Sequence, residues 1–332
     1  MFSRLFIILF LRSLLASVLL FSPASSLAWD AAAHRLSAYL VHDSLQTRQR
    51  DRLDQILQHH PRYQQDFLDQ MPDWLRSESA TEQQRWRLGQ AAVWPDLARG
   101  LPRALAAEFN HPDWHWLDGH WMPATSGASL AIDGNVYLGR EPLAQLLDRE
   151  PQNSLRAPGN IMQALSAMQR QLLDTDMAMA DRAVALCWVL HLIADLHQPL
   201  HSGALFSAQR FVTGDRGGNL IKTNLGNLHA VWDQALRGER FTQQLQSLQR
   251  IQSAQTNSQE TIPADWLMES RQLLHEQVYT ELVRAHVQRH ERSAELPELQ
   301  LPDNYLDTMR RIARERVALS ASRMNTFLRQ LQ

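Results

Sequence analysis

In ALCWVLHLIADLHQPLH, residues 185–201, His191 and Asp195 stand four apart in an otherwise apolar run. On a helix that spacing puts both on one face, where an imidazole and a carboxylate can hold one metal ion. Neither is stable alone among Leu186, Val189, Leu190, Ile193 and Ala194, and a shared cation is the simplest partner for both. Pro199 ends the helix, so the chain turns and His201 can reach round the helix end towards the same cavity. The spacing returns in NLHAVWDQAL as His229 and Asp233. A single HxxxD pair reads equally well as a satisfied core pair. Two of them, with His201 beside the first, make a cluster of nitrogen and oxygen donors without a thiolate, a set that suits zinc in a hydrolytic site.

Two further segments have the same mixed character. Asp96 follows an aromatic-proline pair in AAVWPDLAR, and His115 and Asp118 sit among Trp114, Trp116 and Leu117 in HPDWHWLDG. A charge buried among tryptophans is costly unless it is paired or ligates a metal. Taken singly, each segment also fits an aromatic core edge with capped polar groups.

The elements that must position these residues are helices. Apolar residues recur at three- and four-residue spacing over 30–45, 81–99, 158–174, 180–197, 226–237, 264–287 and 303–330. Strand candidates are confined to IDGNVYL near 132 and to 210–225, and Gly and Pro cluster in 119–142 and 202–227, marking two long irregular connections of the kind that usually carry function. No repeat or composition break divides the chain, so one all-α domain with long loops is the economical reading.

The start of the chain reads differently. Arg4 and Arg12 precede an apolar run from Leu14 to Phe21 that closes on Ser26-Leu27-Ala28. That is the layout of a cleavable secretory signal peptide over residues 1–28, leaving Trp29 first, and Arg12 argues against an uncleaved anchor helix. The whole chain has 33 basic and 35 acidic residues; without Arg4 and Arg12 the basic count is 31. A generic basic nucleic-acid surface is therefore not indicated, and if the substrate is an anion, metal ions or a few local arginines must attract it. Cys187 is the only cysteine and there is no N-x-S/T sequon, which suits a periplasmic or secreted bacterial protein.

The ordered set WxxxxH, WPDxxR, WHWLD, HxxxDxHQPLH, GGN and LHxVWD, running from Trp29 to Asp233, resembles the single-strand-specific, zinc-dependent nuclease family of the S1/P1 type. The resemblance implies a phospholipase C/nuclease-like helical domain over 29–332 that holds three zinc ions. Asp96, His115, His191 and Asp195 would hold one, and His201, His229 and Asp233 a second. Asp195 would bridge to a third, held by His34 and by the amino nitrogen and carbonyl oxygen of Trp29, a site that exists only if the protein begins there. Asp118 would orient the attacking water and Arg99 would stabilise transition-state charge, a task for which its two-pronged guanidinium is suited. Trp116 occupies the family's base-stacking position, with plain core packing as the alternative; Gly217, Gly218 and Asn219 match its GGN, where small residues let the backbone approach substrate, with a functionless turn as the alternative. The family's usual glycine before the first histidine is Ala33 here. His197, inside HQPLH, is expected behind the ligands as an orienting partner.

The implied activity is hydrolysis of phosphodiester bonds in single-stranded DNA and RNA to 5′-phosphorylated products, with 3′-nucleotidase action on nucleotides. The expected protein is monomeric, without stable membrane association once the signal is removed. A zinc-dependent phospholipase C shares the three-zinc site and N-terminal tryptophan, but the Trp29 to His34 spacing and WHWLD favour the nuclease. A non-catalytic zinc-stabilised protein would have no use for Asp118 and Arg99.

Overall fold

The computed structural model describes residues 29–117, 131–132, 136–138, 158–255 and 262–331, and within them the fold is all-α. α1 (Ala31–Ser44) starts at Asp30, whose carboxylate accepts from the Ala32 and Ala33 amides, donors that the first turn would otherwise leave open. α2 (Thr47–Leu57), a π-helical turn (Tyr63–Leu68) and the short α3 (Asp73–Arg76) lead to α4 (Ala80–Leu97). Pro95 lies inside α4 and cannot donate to Ala91, so the helical ladder is open one residue from Ala92. α5 (Arg103–Phe109) and a 3-10 turn (Pro112–His115) follow.

α6 (Ile161–Leu173) and α7 (Met179–Asp195) come next; α7 is buried along almost its whole length and so becomes the central helix. It packs against α6 and α4 and touches α1, α2 and the last helix, α12 (Asp303–Leu328). Leu186, Val189, Leu190, Leu192 and Ile193 are all fully buried on it, each contributing about 1.5–3 kcal/mol. Before α12 come α8 (Leu228–Asp233), α9 (Phe241–Ala254), α10 (Pro263–Leu273) and α11 (Glu281–Arg289). Among the described residues no helix is long and apolar enough to cross a membrane.

β-structure is slight. β1 (Ala131–Ile132), β2 (Val136–Leu138) and β3 (Leu205–Phe206) form an antiparallel sheet in that order, with Ile132 opposite Val136 and Tyr137 opposite Phe206. β4 (Lys222–Thr223) and β5 (Gly226–Asn227) form a hairpin that leads directly into α8, whose N-cap is Asn227.

Several expectations need correction. The periodic segment 264–287 is not one helix: after α10 the chain takes a π-helical turn (Leu274–Val278), and Tyr279 leaves helical geometry before α11 begins. The break lets the buried Tyr279 hydroxyl reach the buried Asp215 carboxylate at 2.8 and 2.9 Å. The helix expected over 226–237 is confined to Leu228–Asp233, because 226–227 are spent in the hairpin. α2, α5 and α9 were not signalled by the periodicity. Of the irregular connection at 119–142, only the β1 and β2 backbone lies within the described residues.

Candidate metal centre

Six elements deliver the candidate ligands to one place. α1 brings His34, the end of α4 brings Asp96, and the 3-10 turn brings His115. The last turns of α7 bring His191 and Asp195, the turn after Pro199 brings His201, and α8 brings His229 and Asp233. Three groups have ligand atoms within 4.8 Å of one another: His34, His191 and Asp195; Asp96, His115 and His191; His201, His229 and Asp233.

Asp195 is the hub. It is fully buried, and its carboxylate lies 3.3 Å from His34 Nε2, 3.0 Å from His115 Nδ1, 3.0 Å from His191 Nε2 and 3.8 Å from His201 Nδ1. His34 stacks on His191 with centroids 4.0 Å apart, so the two HxxxD and WxxxxH motifs meet face to face. Asp96 pairs with Arg99 at 2.8 Å, which places that guanidinium at the edge of the same cluster.

Main-chain carbonyls aim three of the rings. His191 Nδ1 donates to Ala92 O at 2.8 Å, beside the ladder opening that Pro95 creates; His201 Nδ1 donates to His115 O at 2.7 Å; His229 Nδ1 donates to Gly217 O at 2.6 Å. A carbonyl can only accept, so each ring carries its proton on Nδ1 and turns the Nε2 lone pair inward. His191 Nε2 and His115 Nδ1 then face each other at 2.9 Å, and His201 Nε2 and His229 Nε2 at 3.2 Å. The facing His201 and His229 lone pairs suit a shared cation, whereas His115 Nδ1, also 3.0 Å from the Asp195 carboxylate, can carry a proton and donate.

The electrostatics agree. Burial pushes His115 down to about 4, against the pull of Asp195, and pushes His229 down to about 3, with His201 adding to the effect. Burial lowers His34 and His201 as well. For His191 burial acts downward too, but the carboxylates of Asp195 and Asp96 outweigh it and raise the ring above its ordinary value. Burial would raise Asp195, yet His191, His201 and His115 hold it well below the usual carboxylate range. Burial drives Asp233 well above that range, with the Gln198 amide opposing. The lowered His34, His115, His201 and His229 and the lowered Asp195 favour the deprotonated state a metal ion takes up, whereas the raised His191 and Asp233 would have to release a proton to it.

Among the buried polar atoms with no hydrogen-bond partner are both nitrogens of His34, Nε2 of His115 and Oδ1 of Asp195. With an all-N,O donor set, these atoms fit zinc, and the residues present fit the group the motifs imply.

The remaining expected residues fall around the cluster. Trp29 is fully buried, and its Nε1 donates to Ala194 O at 3.0 Å, next to Asp195, while the Asp30 amide donates to Asp233 O at 3.2 Å. Trp29 is thus tied by its indole to the end of α7 and by the following amide to the end of α8. Trp116 is half-buried; its carbonyl accepts from the Ile161 amide at 3.2 Å, and the next amide, that of Leu117, donates to His201 O at 2.9 Å. Asp118 lies outside the described residues.

Gly217 and Gly218 adopt φ of +58° and +84°. A Cβ on Gly217 would stand 2.5 Å from Leu200 O and 3.4 Å from His229 Nδ1, and one on Gly218 would stand 3.2 Å from His229 N. Positive φ at both positions and the close approach of Leu200 O to Gly217 therefore call for glycine in the loop that backs His229. Asn219 is half-buried, and its Nδ2 donates to Arg216 O at 2.8 Å, closing the same loop.

Sequence reasoning missed two members. Gln198 is fully buried, accepts from Leu200 N at 2.7 Å and donates to Asp233 Oδ1 at 2.9 Å, tying the HQPLH turn to α8. Its place inside HQPLH was the available signal. Asp30 both caps α1 and pairs with Arg237 at 2.7 Å, fastening the residues after Trp29 to the segment beyond α8; no spacing rule links those two positions.

Comparison with known proteins agrees with this geometry. A search of curated protein sequences finds no match. The S1/P1 Nuclease family model matches residues 29–332, beginning at Trp29 and spanning nearly the whole chain. The chain therefore belongs to the S1/P1 nuclease family, zinc-dependent phosphodiesterases that hydrolyse nucleic acids.

Proposed function

We propose that the protein is an endonuclease that cleaves single-stranded DNA and RNA to 5′-phosphorylated products and also hydrolyses 3′-nucleotides. It works in the periplasm or outside the cell as a monomer, after removal of residues 1–28. Three zinc ions would be held by Asp96, His115, His191 and Asp195, by His201, His229 and Asp233, and by His34, Asp195 and the main chain of Trp29; three clustered groups of ligand atoms support the reading, with His191 shared between the first and the His34 group. The observation that carries the reading is the set of inward-facing Nε2 atoms on His191, His201 and His229, each fixed by a main-chain carbonyl, around the buried Asp195.

Zinc supplies Lewis-acid polarisation of phosphate oxygens and lowers the pKa of water, which lets an acidic protein act on a polyanion. The chain's own residues do the rest. Arg99, held by Asp96, offers its guanidinium to the charge that grows on the phosphoryl oxygens. Asp118 accepts the proton side of the attacking water and orients it. Trp116, its carbonyl held by the Ile161 amide, presents an aromatic face on which a base can stack only when it is unpaired, the physical basis of single-strand preference. Gly217, Gly218 and Asn219 let the strand approach closely beside His229.

The test is to assay the chain that begins at Trp29 against single-stranded DNA, the same DNA as a duplex, RNA, 3′-AMP and phosphatidylcholine, with and without chelator. Chelator-sensitive cleavage of the single strand and RNA, much faster than the duplex, is expected. Equal rates on duplex and single strand would remove the single-strand assignment, and phosphatidylcholine cleavage alone would remove the nuclease. A form that keeps one residue ahead of Trp29 should bind one zinc poorly; undiminished zinc content in that form refutes the N-terminal ligand.

A further inference from the structure

The last turn of α7, which carries Asp195, presents carbonyls that a helix end leaves without helical partners. Side chains reach four carbonyls of this helix end and the turn after it, one from His197 in the same turn and three from distant segments. Ile193 O accepts from His197 Nδ1 at 2.7 Å, Ala194 O from Trp29 Nε1 at 3.0 Å, Leu196 O from Ser270 Oγ at 2.6 Å, and His197 O from Arg316 Nε at 3.3 Å. Because the Nδ1 proton of His197 goes to Ile193, its Nε2 is an acceptor, and Arg323 Nη1 meets it at 2.7 Å. Glu269 binds both arginines: Oε2 accepts from Arg316 and Arg323 at 2.8 Å each, and Oε1 from Arg323 at 2.7 Å. Trp266 lies against the Arg323 guanidinium at 5.2 Å.

Two guanidiniums, each side chain less than a tenth exposed, on a single carboxylate are a poor way to stabilise a core. Their desolvation offsets most of the attraction, and apolar side chains of similar volume would hold α10 and α12 against α7 at least as well. What guanidiniums add is direction: they fix one ring and one carbonyl in a turn that connects Asp195 to His201.

We propose that Arg316 and Arg323, set by Glu269, are positioning residues of the metal centre: through His197 they fix the last turn of α7 and hence the angle at which the Asp195 carboxylate is presented. The C-terminal helix, which contains no recognisable site motif, is then part of the catalytic apparatus. The inference rests on the assignment of Asp195 as a metal ligand.

The experiment measures zinc release from the zinc-loaded protein to a chromogenic chelator, together with unfolding midpoints of the chelated protein, for R323M, R323K, E269Q, V317A and D195N. Val317 is buried on the same helix, outside the network, and reports pure loss of packing. R323M and E269Q should lower zinc affinity about tenfold, the low end for partners behind a metal ligand. R323K, which keeps a cation but not the fork, should recover part of it, and V317A should lose stability with zinc affinity intact. E269Q, at a partly exposed carboxylate, keeps the test available should R323M fold poorly. The proposal is overturned if, at matched loss of midpoint, V317A releases zinc as readily as R323M or E269Q. Unchanged zinc binding in D195N would instead overturn the ligand assignment itself.

Discussion

Replacing Gly217 by alanine perturbs the metal centre from behind. At φ +58° an L side chain pays about 1–2 kcal/mol for the left-handed backbone. The new Cβ would lie 2.5 Å from Leu200 O, a main-chain atom that cannot swing aside. Leu200 precedes His201, and the Gly217 carbonyl holds His229, so relief of the clash must displace one ligand or the other. Losing such a backing bond costs about 10–100-fold in metal affinity. Gly226 is the matched control: its φ is +123°, and a Cβ there meets nothing within 4 Å. G226A should therefore lose stability and keep its zinc, whereas G217A should lose stability and bind zinc at least about tenfold more weakly. Chelator competition on the folded proteins, with unfolding midpoints by circular dichroism, separates the two. If G217A holds zinc as tightly as G226A, the backing role of the Gly217 carbonyl is wrong.

Two further predictions concern the frame around the site. His60 accepts from the Arg62 amide at 3.1 Å and packs on Trp94, and burial pushes it down from 6.5 to about 4. The unfolded chain takes up its proton first, so this stability is complete above pH 6.5 and is lost as pH falls towards 4, to the extent of about 3 kcal/mol. H60Q should flatten the pH dependence of the unfolding midpoint of the chelated protein over that window; a slope identical to the parent's refutes the assignment. Arg87 and Asp54 form a buried bidentate pair at 2.7 and 2.8 Å between α4 and α2. R87M strands the carboxylate and should cost about 3–5 kcal/mol by chemical denaturation, with D54N added to R87M recovering much of it; additive losses would contradict a coupled pair.

What could be read from the sequence followed from period. His191 with Asp195, and His229 with Asp233, were legible because four residues return to the same helix face, and the apolar residues around them made exposure implausible. Trp29 and His34 were legible as a motif, and the structure places Trp29 against Ala194 by a contact that no spacing encodes. α2 and α9 escaped because TRQRDRLDQIL and FTQQLQSLQRIQSA carry few apolar residues, and α5 because seven residues are too few to show a period. The continuous helix expected over 264–287 failed at Tyr279, where a tertiary contact to Asp215 prevails over local preference. No sequence motif singles out Arg316 and Arg323, and it is the fold that buries both. The carbonyls of Ala92, His115 and Gly217 belong to the main chain and have no residue-type signature at all, which is why the orientation of the candidate ligands was invisible while their residue types and spacing were not.

The most direct test of the central claim is a zinc titration of the metal-free chain that begins at Trp29, with zinc content and cleavage of single-stranded DNA measured on the same samples. The account predicts uptake approaching one zinc for each of the three ligand groups, with activity returning only as the sites fill, and H229A stopping one zinc short and nearly inactive. Full cleavage by metal-free protein, or H229A that binds as much zinc as the parent, would contradict it.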